Sequence, residues 1–453
     1  MRFEILKLAA AVLVLPLSAQ KEPMTARLLI VDPGHFHASL LQREMYPDVG
    51  PRVSVYAPLG PELLDYLNRI SLFNGRKQDP THWELDVHCT AHPMEEMLRD
   101  RAGNVVVLTG RNRGKIDRIL ASVTAGMHVL ADKPWIISSS EIPKLQLALS
   151  TADKKGVIAY DIMTERFEVT SELQRVLVNT PAVFGTLVAG TADDPGIRAR
   201  SVHNLMKVVA GLPLRRPVWF FNVAEYGEGL ADVGTHVVDL VQWTALPDQA
   251  FDYRKDVKVL EGLRWPVTLT KTQFAQVTGE ADFPEALSSN VHDGKFDYFC
   301  NNSVHYTLRG IHVKLEIVWD WEAAKGAGDV YEAVFRGTKA RVEIRQGAAE
   351  HFVPELYIVP ATQEWRKEVF SALRAQVQIL QSRWPGLTVR ETDHEAQLLI
   401  PKELRVGHEA HFAQVTREFF NFLRSGQPVP EWERSYMLAK YYITTKGVEL
   451  SRQ

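Results

Sequence analysis

Arg27-Leu28-Leu29-Ile30-Val31-Asp32-Pro33-Gly34-His35-Phe36-His37-Ala38 begins with a mostly apolar run and breaks at a proline-glycine turn. With the helical stretch over residues 39–44, it predicts a buried strand, a tight turn and a helix in that order. Outward from it the pattern repeats. Val53-Ser54-Val55-Tyr56 predicts a second strand, closed by Pro58 and Gly60. A third runs from Asn104 to Thr109 and stops at Gly110; a helix over 115–125, ended by Gly126, leads into His128-Val129-Leu130-Ala131. Gly156 to Tyr160 ends the series. Strands apolar on both faces that alternate with helices indicate a parallel sheet covered on two sides, here over residues 24–158.

Past Tyr160 the period changes. Residues 183–188, 305–317 and 330–344 alternate with period two, which predicts an antiparallel sheet; helical spacing returns over 364–383, 408–424 and 433–451. The fold class is therefore α/β for the first half, followed over residues 159–453 by an α+β domain with a large, mostly antiparallel open sheet and a C-terminal helical extension.

The length of 453 residues is about three times that of a usual single domain, so two or three cores are expected. Hydrophobic residues at 45% and charged residues at 24% exclude a disordered chain. With 52 Lys plus Arg against 55 Asp plus Glu, no basic excess exists to release counterions from a phosphate backbone, and no nucleic-acid partner is expected. Cys89 and Cys300 permit at most one bridge and do not report the redox compartment. At the amino terminus, Arg2 and Lys7 precede the apolar run Leu8 to Leu15, then Pro16, Leu17, Ser18 and Ala19. This reads as a secretion signal over residues 1–23 and predicts export to a periplasm; the alternative is a cytoplasmic chain whose translation starts at Met24. Elsewhere no run reaches the roughly 20 apolar residues of a bilayer span, so none is expected in the mature protein.

The first strand-turn-helix is where a dinucleotide would place its pyrophosphate. Of the usual glycines only Gly34 is present, with Asp32 ahead of it and His35, Phe36 and His37 after it. A carboxylate at Asp32 repels a diphosphate unless a neighbour offsets it.

Two further stretches carry a family likeness. Ala125-Gly126, a short strand and Asp132-Lys133-Pro134 form the first; Asp232-Val233-Gly234-Thr235-His236-Val237-Val238-Asp239 forms the second. On these motifs the chain resembles the Gfo/Idh/MocA family of nicotinamide-dependent oxidoreductases, with Asp132 where Glu is usual and Gly110-Arg111-Asn112 where Thr-Pro-Asn is usual. Residues 350–430 go beyond the minimal family pattern and resemble a subgroup with a long C-terminal region.

The resemblance implies a Rossmann-type domain holding NAD or NADP, with Asp32, Gly34, His35, Phe36, His37, Thr109, Asn112, Asp132 and Lys133 as cofactor-binding residues. It assigns His236 as general base and Lys133 as a fixed charge beside the developing alkoxide. Asp232, four residues before His236, would share a helical face with it and support the imidazole. The implied reaction is hydride transfer at a secondary alcohol of a sugar, cyclitol or glycoside. Export would demand a tightly held cofactor, which keeps open a redox-cycling glycosidase or lyase working through a transient keto-sugar. A non-catalytic sugar-binding protein that has lost the cofactor is the third reading.

Arg166, His203, Lys207 and Trp219 are the candidate substrate contacts, with Asp161, Tyr226 and Phe220 as further residues for the same cleft. His408-Glu409-Ala410-His411 lacks a third ligand and the metalloprotease spacing, so no metal is assigned. Tyr56 to Glu62 favours neither NAD nor NADP, and Arg69 and Arg76 are unplaced. A homo-oligomer is expected, built by burying an apolar face of the open sheet.

Overall fold

The computed structural model describes residues 25–209 and 212–453, so the expected leader over residues 1–23 lies outside the described residues. The first sheet contains β1 (Leu28–Val31), β2 (Arg52–Ala57), β3 (Glu84–Cys89), β4 (Val105–Leu108), β5 (His128–Ala131) and β6 (Ala159–Asp161). All are parallel, in the order β3-β2-β1-β4-β5-β6. Every residue of β1, β4 and β5 is buried. Their side chains alternate between two cores: Leu29 and Val31 join one, Leu28 and Ile30 the other. The strand order reverses between β1 and β4, which opens a crevice at the carboxyl ends of those strands.

Strand β3 was not legible in sequence. It is an edge strand whose Glu84, Asp86 and His88 face water or lie half-exposed, so it lacks the continuous apolar run of its neighbours. Strand β6 carries the parallel sheet past residue 158.

The helix expected after the first turn is a single turn, His37–Leu40. Its place is taken from the far end of the chain. The helix His408–Ser425 lays Phe412, Val415, Phe419, Phe420 and Leu423 into the same core as Leu28, Ile30, Val105, Val107 and Leu130. Its start packs on His37 and its end pairs Arg424 with Asp48, so it runs antiparallel to β1 as a βα helix would. The C-terminal extension is thus part of the first domain's core.

The rest of the chain forms β7 (Ile197–Met206), a two-strand hairpin of β8 (Val208–Val209) and β9 (Leu212–Pro213), β10 (Val257–Thr270), β11 (Val291–His292), β12 (Lys295–Leu308), β13 (Ile311–Glu322), β14 (Val330–Arg336), β15 (Ala340–Gln346), β16 (Glu355–Pro360), β17 (Thr388–Glu391) and β18 (Ala396–Leu399). The large sheet runs β10-β12-β13-β7-β14-β15-β16-β18-β17, with β11 beside β12, and only β13 and β7 pair in parallel. Residues 183–188, expected as a strand, instead form the short helix Pro181–Phe184 and a lone bridge from Leu187 to Gly337. Pro181 presets the first helical φ and outweighs the β-branched residues after it.

One face of this sheet packs on the helices Val169–Val178, Val233–Ala245 and Glu431–Leu450. The apolar outer face expected to drive assembly is not found at the sheet's centre. Arg198, Arg200, Lys314, Glu316 and Glu332 point outward there, and Arg200 pairs with Glu316 at 2.6 Å.

Candidate active site

Four segments meet at the crevice: the turn after β1, the turn after β4, the Asp132-Lys133 pair after β5 and the start of the helix Val233–Ala245. The two turns touch. A Cβ on Gly110 would lie 2.5 Å from the carbonyl oxygen of Asp32, and one on Gly34 would lie 3.4 Å from Gly110 Cα, so bare backbone is required at Gly110. Asp32 has φ of 49° and directs its carboxylate to Arg118 Nη1 at 2.9 Å. The charge that would repel a diphosphate is thereby neutralised from the neighbouring helix.

The Lys133 ammonium donates to the Asp232 carboxylate; Asp232 is buried and Lys133 nearly so. Burial opposes the Lys133 charge, yet Asp232 and Asp132 hold its pKa above the ordinary lysine range. Asp232 does not support His236 as expected. It is the cap residue before the helix begins, with ψ of −91°, so the one-turn relation that puts residues four apart on one face does not apply to it. His236 Nδ1 is buried without a hydrogen-bond partner among the described residues. Burial, with Lys133 and His408 nearby, keeps this imidazole neutral well below its usual range.

Beside the β1 turn, Asp132 Oδ2 lies 2.7 Å from His37 Nδ1 and 3.3 Å from His35 Nδ1. Phe36 packs against both of those rings, and the Arg69 guanidinium stands 5.6 Å above it. Asn112 turns away from the crevice, donating to Tyr226 O at 2.7 Å and accepting from Lys115 Nζ at 2.7 Å. It ties the domains together rather than facing a ligand. Burial lowers Lys115 to about 8.

The expected substrate contacts divide. Arg166 is not one: it grips Asp239 through Nε and Nη2 at 2.5 and 2.8 Å and gives Nη1 to Glu433 at 2.6 Å, deep in the interior. Asp161 is committed through Oδ2, accepting from Tyr441 Oη at 2.7 Å and pairing with Lys440 at 2.9 Å, while its Oδ1 is buried without a partner among the described residues. His203 and Lys207 share Asp329, at 3.1 and 2.5 Å, and His203 packs on Trp319. Trp219 does reach the crevice, 3.4 Å from a Cβ placed on Gly34, with its indole N–H donating to Glu62 at 3.3 Å. Tyr226 stands beside Asp232, and burial together with that carboxylate drives its phenol well above the usual range.

Glu165 escaped the sequence reading. Burial, with Glu168 alongside, raises it to about 7, and the Lys133 charge pulls the other way. Its only sequence signal was adjacency to Arg166 in Thr164-Glu165-Arg166-Phe167, which does not separate a buried acid from a solvated one.

The residues fit the reactive end of a dinucleotide. Thr109 Oγ1, Asp132 Oδ1 and His236 Nδ1, all at the crevice, are buried without partners among the described residues, as expected where a polar ligand completes the site. The phosphate end differs from the usual cradle, since Asp32 and His37 stand where glycines are usual and the helix that follows is one turn long.

A Rossmann-order parallel sheet joined to a large mixed sheet, with a buried lysine and a histidine at the junction, is the architecture of a two-domain oxidoreductase. The chain belongs to the family described as "Putative oxidoreductase C terminal domain", whose model matches residues 173–452. A solved structure described as a "putative oxidoreductase" from Parabacteroides merdae ATCC 43184 is 40% identical, with TM-score 0.92, covering 95% of this chain and 98% of that one. Levoglucosan dehydrogenase in complex with NADH and levoglucosan shares the fold at 13% identity and TM-score 0.58, covering 94% of this chain and 97% of that one. So does a 3-ketoreductase from Actinomadura kijaniata bound to NADP and TDP-benzene, at 13% identity and TM-score 0.55, covering 92% and 94% of the two chains. No curated protein matches the chain.

Proposed function

We propose that this protein is a nicotinamide-dependent oxidoreductase of the Gfo/Idh/MocA type, acting on a secondary alcohol of a sugar, cyclitol or glycoside. The observation that carries this reading is the convergence of Lys133 and Asp232 with the neutral His236 at the β1/β4 crevice. NAD or NADP, when bound, supplies the hydride acceptor or donor. His236, kept neutral by burial, takes the hydroxyl proton on its imidazole. Lys133, kept charged by Asp232, stabilises the alkoxide that forms. Thr109 and Asp132 have the unused polar atoms to orient the cofactor, and Trp219 walls the crevice. Sugar chemistry is supported by the fold neighbours, which include levoglucosan dehydrogenase and a 3-ketoreductase.

Glu165 favours a second reading, a redox-cycling glycosidase or lyase. A carboxyl titrating at about 7 within the field of Lys133 is suited to protonating a leaving group at neutral pH. Mass analysis of the purified protein for retained dinucleotide, followed by assay with a panel of glycosides, tests both. Net change in nicotinamide absorbance supports the dehydrogenase, and glycoside cleavage without net reduction supports the cycle. Absence both of turnover and of any thermal shift with NAD or NADP would sink both. We also place the protein outside the cytoplasm after removal of residues 1–23, a reading tested by amino-terminal sequencing of the natural protein.

A further inference from the structure

His35 and His37 leave the turn after β1 on one side, and Asp132 rises from the end of β5 to meet them. Each offers one ligand atom, and the three atoms lie within 4.8 Å of one another. The two imidazole rings meet edge to face, centroids 3.9 Å apart at 83°, so their nitrogens converge instead of stacking away from each other. Asp132 Oδ2 sits 2.7 Å from His37 Nδ1 and 3.3 Å from His35 Nδ1. Its other oxygen, Oδ1, is buried and has no partner among the described residues.

Nearby cations do not answer that oxygen. Lys115 Nζ is bound to Asn112 Oδ1 and to the main-chain oxygen of Asp132, while Lys133 is held by Asp232. An almost fully buried carboxylate with a spare oxygen beside two converging imidazoles is a donor set of mixed nitrogen and oxygen. Two imidazoles and one carboxylate bind first-row divalent metals and leave the remaining positions open.

We propose that His35, His37 and Asp132 form a binding site for a divalent transition-metal ion. The site shares Asp132 with the proposed cofactor crevice, but its test reads metal occupancy and requires no turnover. It also differs from the metal possibility weighed in the sequence at His408 and His411. The His408 ring lies 5.4 Å from that of His37, but the three ligands come from the β1 and β5 ends. His37, which stands where a phosphate-binding glycine is usual, thereby has a chemical reason to be there.

The full-length chain, stripped with EDTA and dialysed, is titrated with zinc chloride by calorimetry, and retained zinc is counted after desalting. One zinc per chain is expected. His37→Ala and Asp132→Asn should each bring retained zinc to background with the circular dichroism spectrum unchanged. The loss in affinity should exceed the roughly 10- to 100-fold that removal of an outer-sphere partner causes. His305→Ala, which removes another close imidazole pair at 2.9 Å, should retain the zinc. No saturable zinc in the unaltered protein, zinc kept by both site variants, or zinc lost in His305→Ala would overturn the proposal. Should a site variant fail to fold, X-ray absorption of the zinc-loaded unaltered protein decides. Two imidazoles with oxygen support the site; a single imidazole or a sulfur ligand refutes it.

Discussion

Lys133, at the end of the parallel sheet's fifth strand, donates to Asp232, the residue that opens the helix Val233–Ala245 in the other domain. A buried ion pair of this kind is worth little as a net stabiliser, but losing one partner leaves the other uncompensated. Lys133→Ala is therefore expected to lower kcat by about 10²- to 10³-fold. Steady-state rates with the substrate found by the panel assay check this. A rate within a few-fold of the unaltered enzyme would remove Lys133 from the reaction.

The half-buried His236 leads to a pH prediction. Burial and the Lys133 charge depress its pKa, so the base remains unprotonated at pH values where a free histidine would already be charged. The acid limb of kcat/KM assigned to His236 should fall below the ordinary value of 6.5 rather than at it. His236→Asn should abolish that limb in the residual activity, and a limb that persists in this variant belongs to another group.

Stability should also depend on acid. Burial lowers His128 and His411 to about 4 from 6.5. The unfolded chain binds these protons first, so stability is full above about pH 6.5 and is lost as pH falls towards 4. Thermal unfolding across that range should show Tm dropping with acid, and the slope should be shallower in His128→Gln.

Arg166 belongs to the interior, held by Asp239 and Glu433. Arg166→Ala should cost about 3–5 kcal/mol of stability by leaving Glu433 unpaired and Asp239 with Lys440 as its remaining cation. Denaturant unfolding measures the loss. A raised KM at unchanged stability would return Arg166 to the substrate site.

The C-terminal extension should prove indispensable to the first domain. Phe419 is completely buried against the parallel sheet. Phe419→Ala should cost about 3–5 kcal/mol through the cavity it leaves. Nicotinamide binding and the folded baseline should be lost in one transition if the helix and sheet form one core.

Much of this arrangement was readable in the linear order of residues. Continuous apolar runs at Leu28–Val31, Val105–Leu108 and residues 129–131, each stopped by a turn former, specify buried parallel strands because both faces of each are apolar. Lys133 and His236 stood out in the sequence through their resemblance to family motifs; the structure puts one just past a strand end and the other near a helix start. Strand β3 was not, since an exposed edge tolerates the polar residues that hide it.

Partner choice was decided only by the tertiary structure. Spacing put Asp232 with His236, whereas the cap geometry gave it to Lys133, 99 residues away. Composition made Arg166 a cleft residue, and folding buried it between acids from two distant helices. Residues 408–425 carried an amphipathic period but no sign of which surface they would cover. Local periodicity reports which face of an element is apolar; only long-range packing determines which partner buries that face and which charges must then pair.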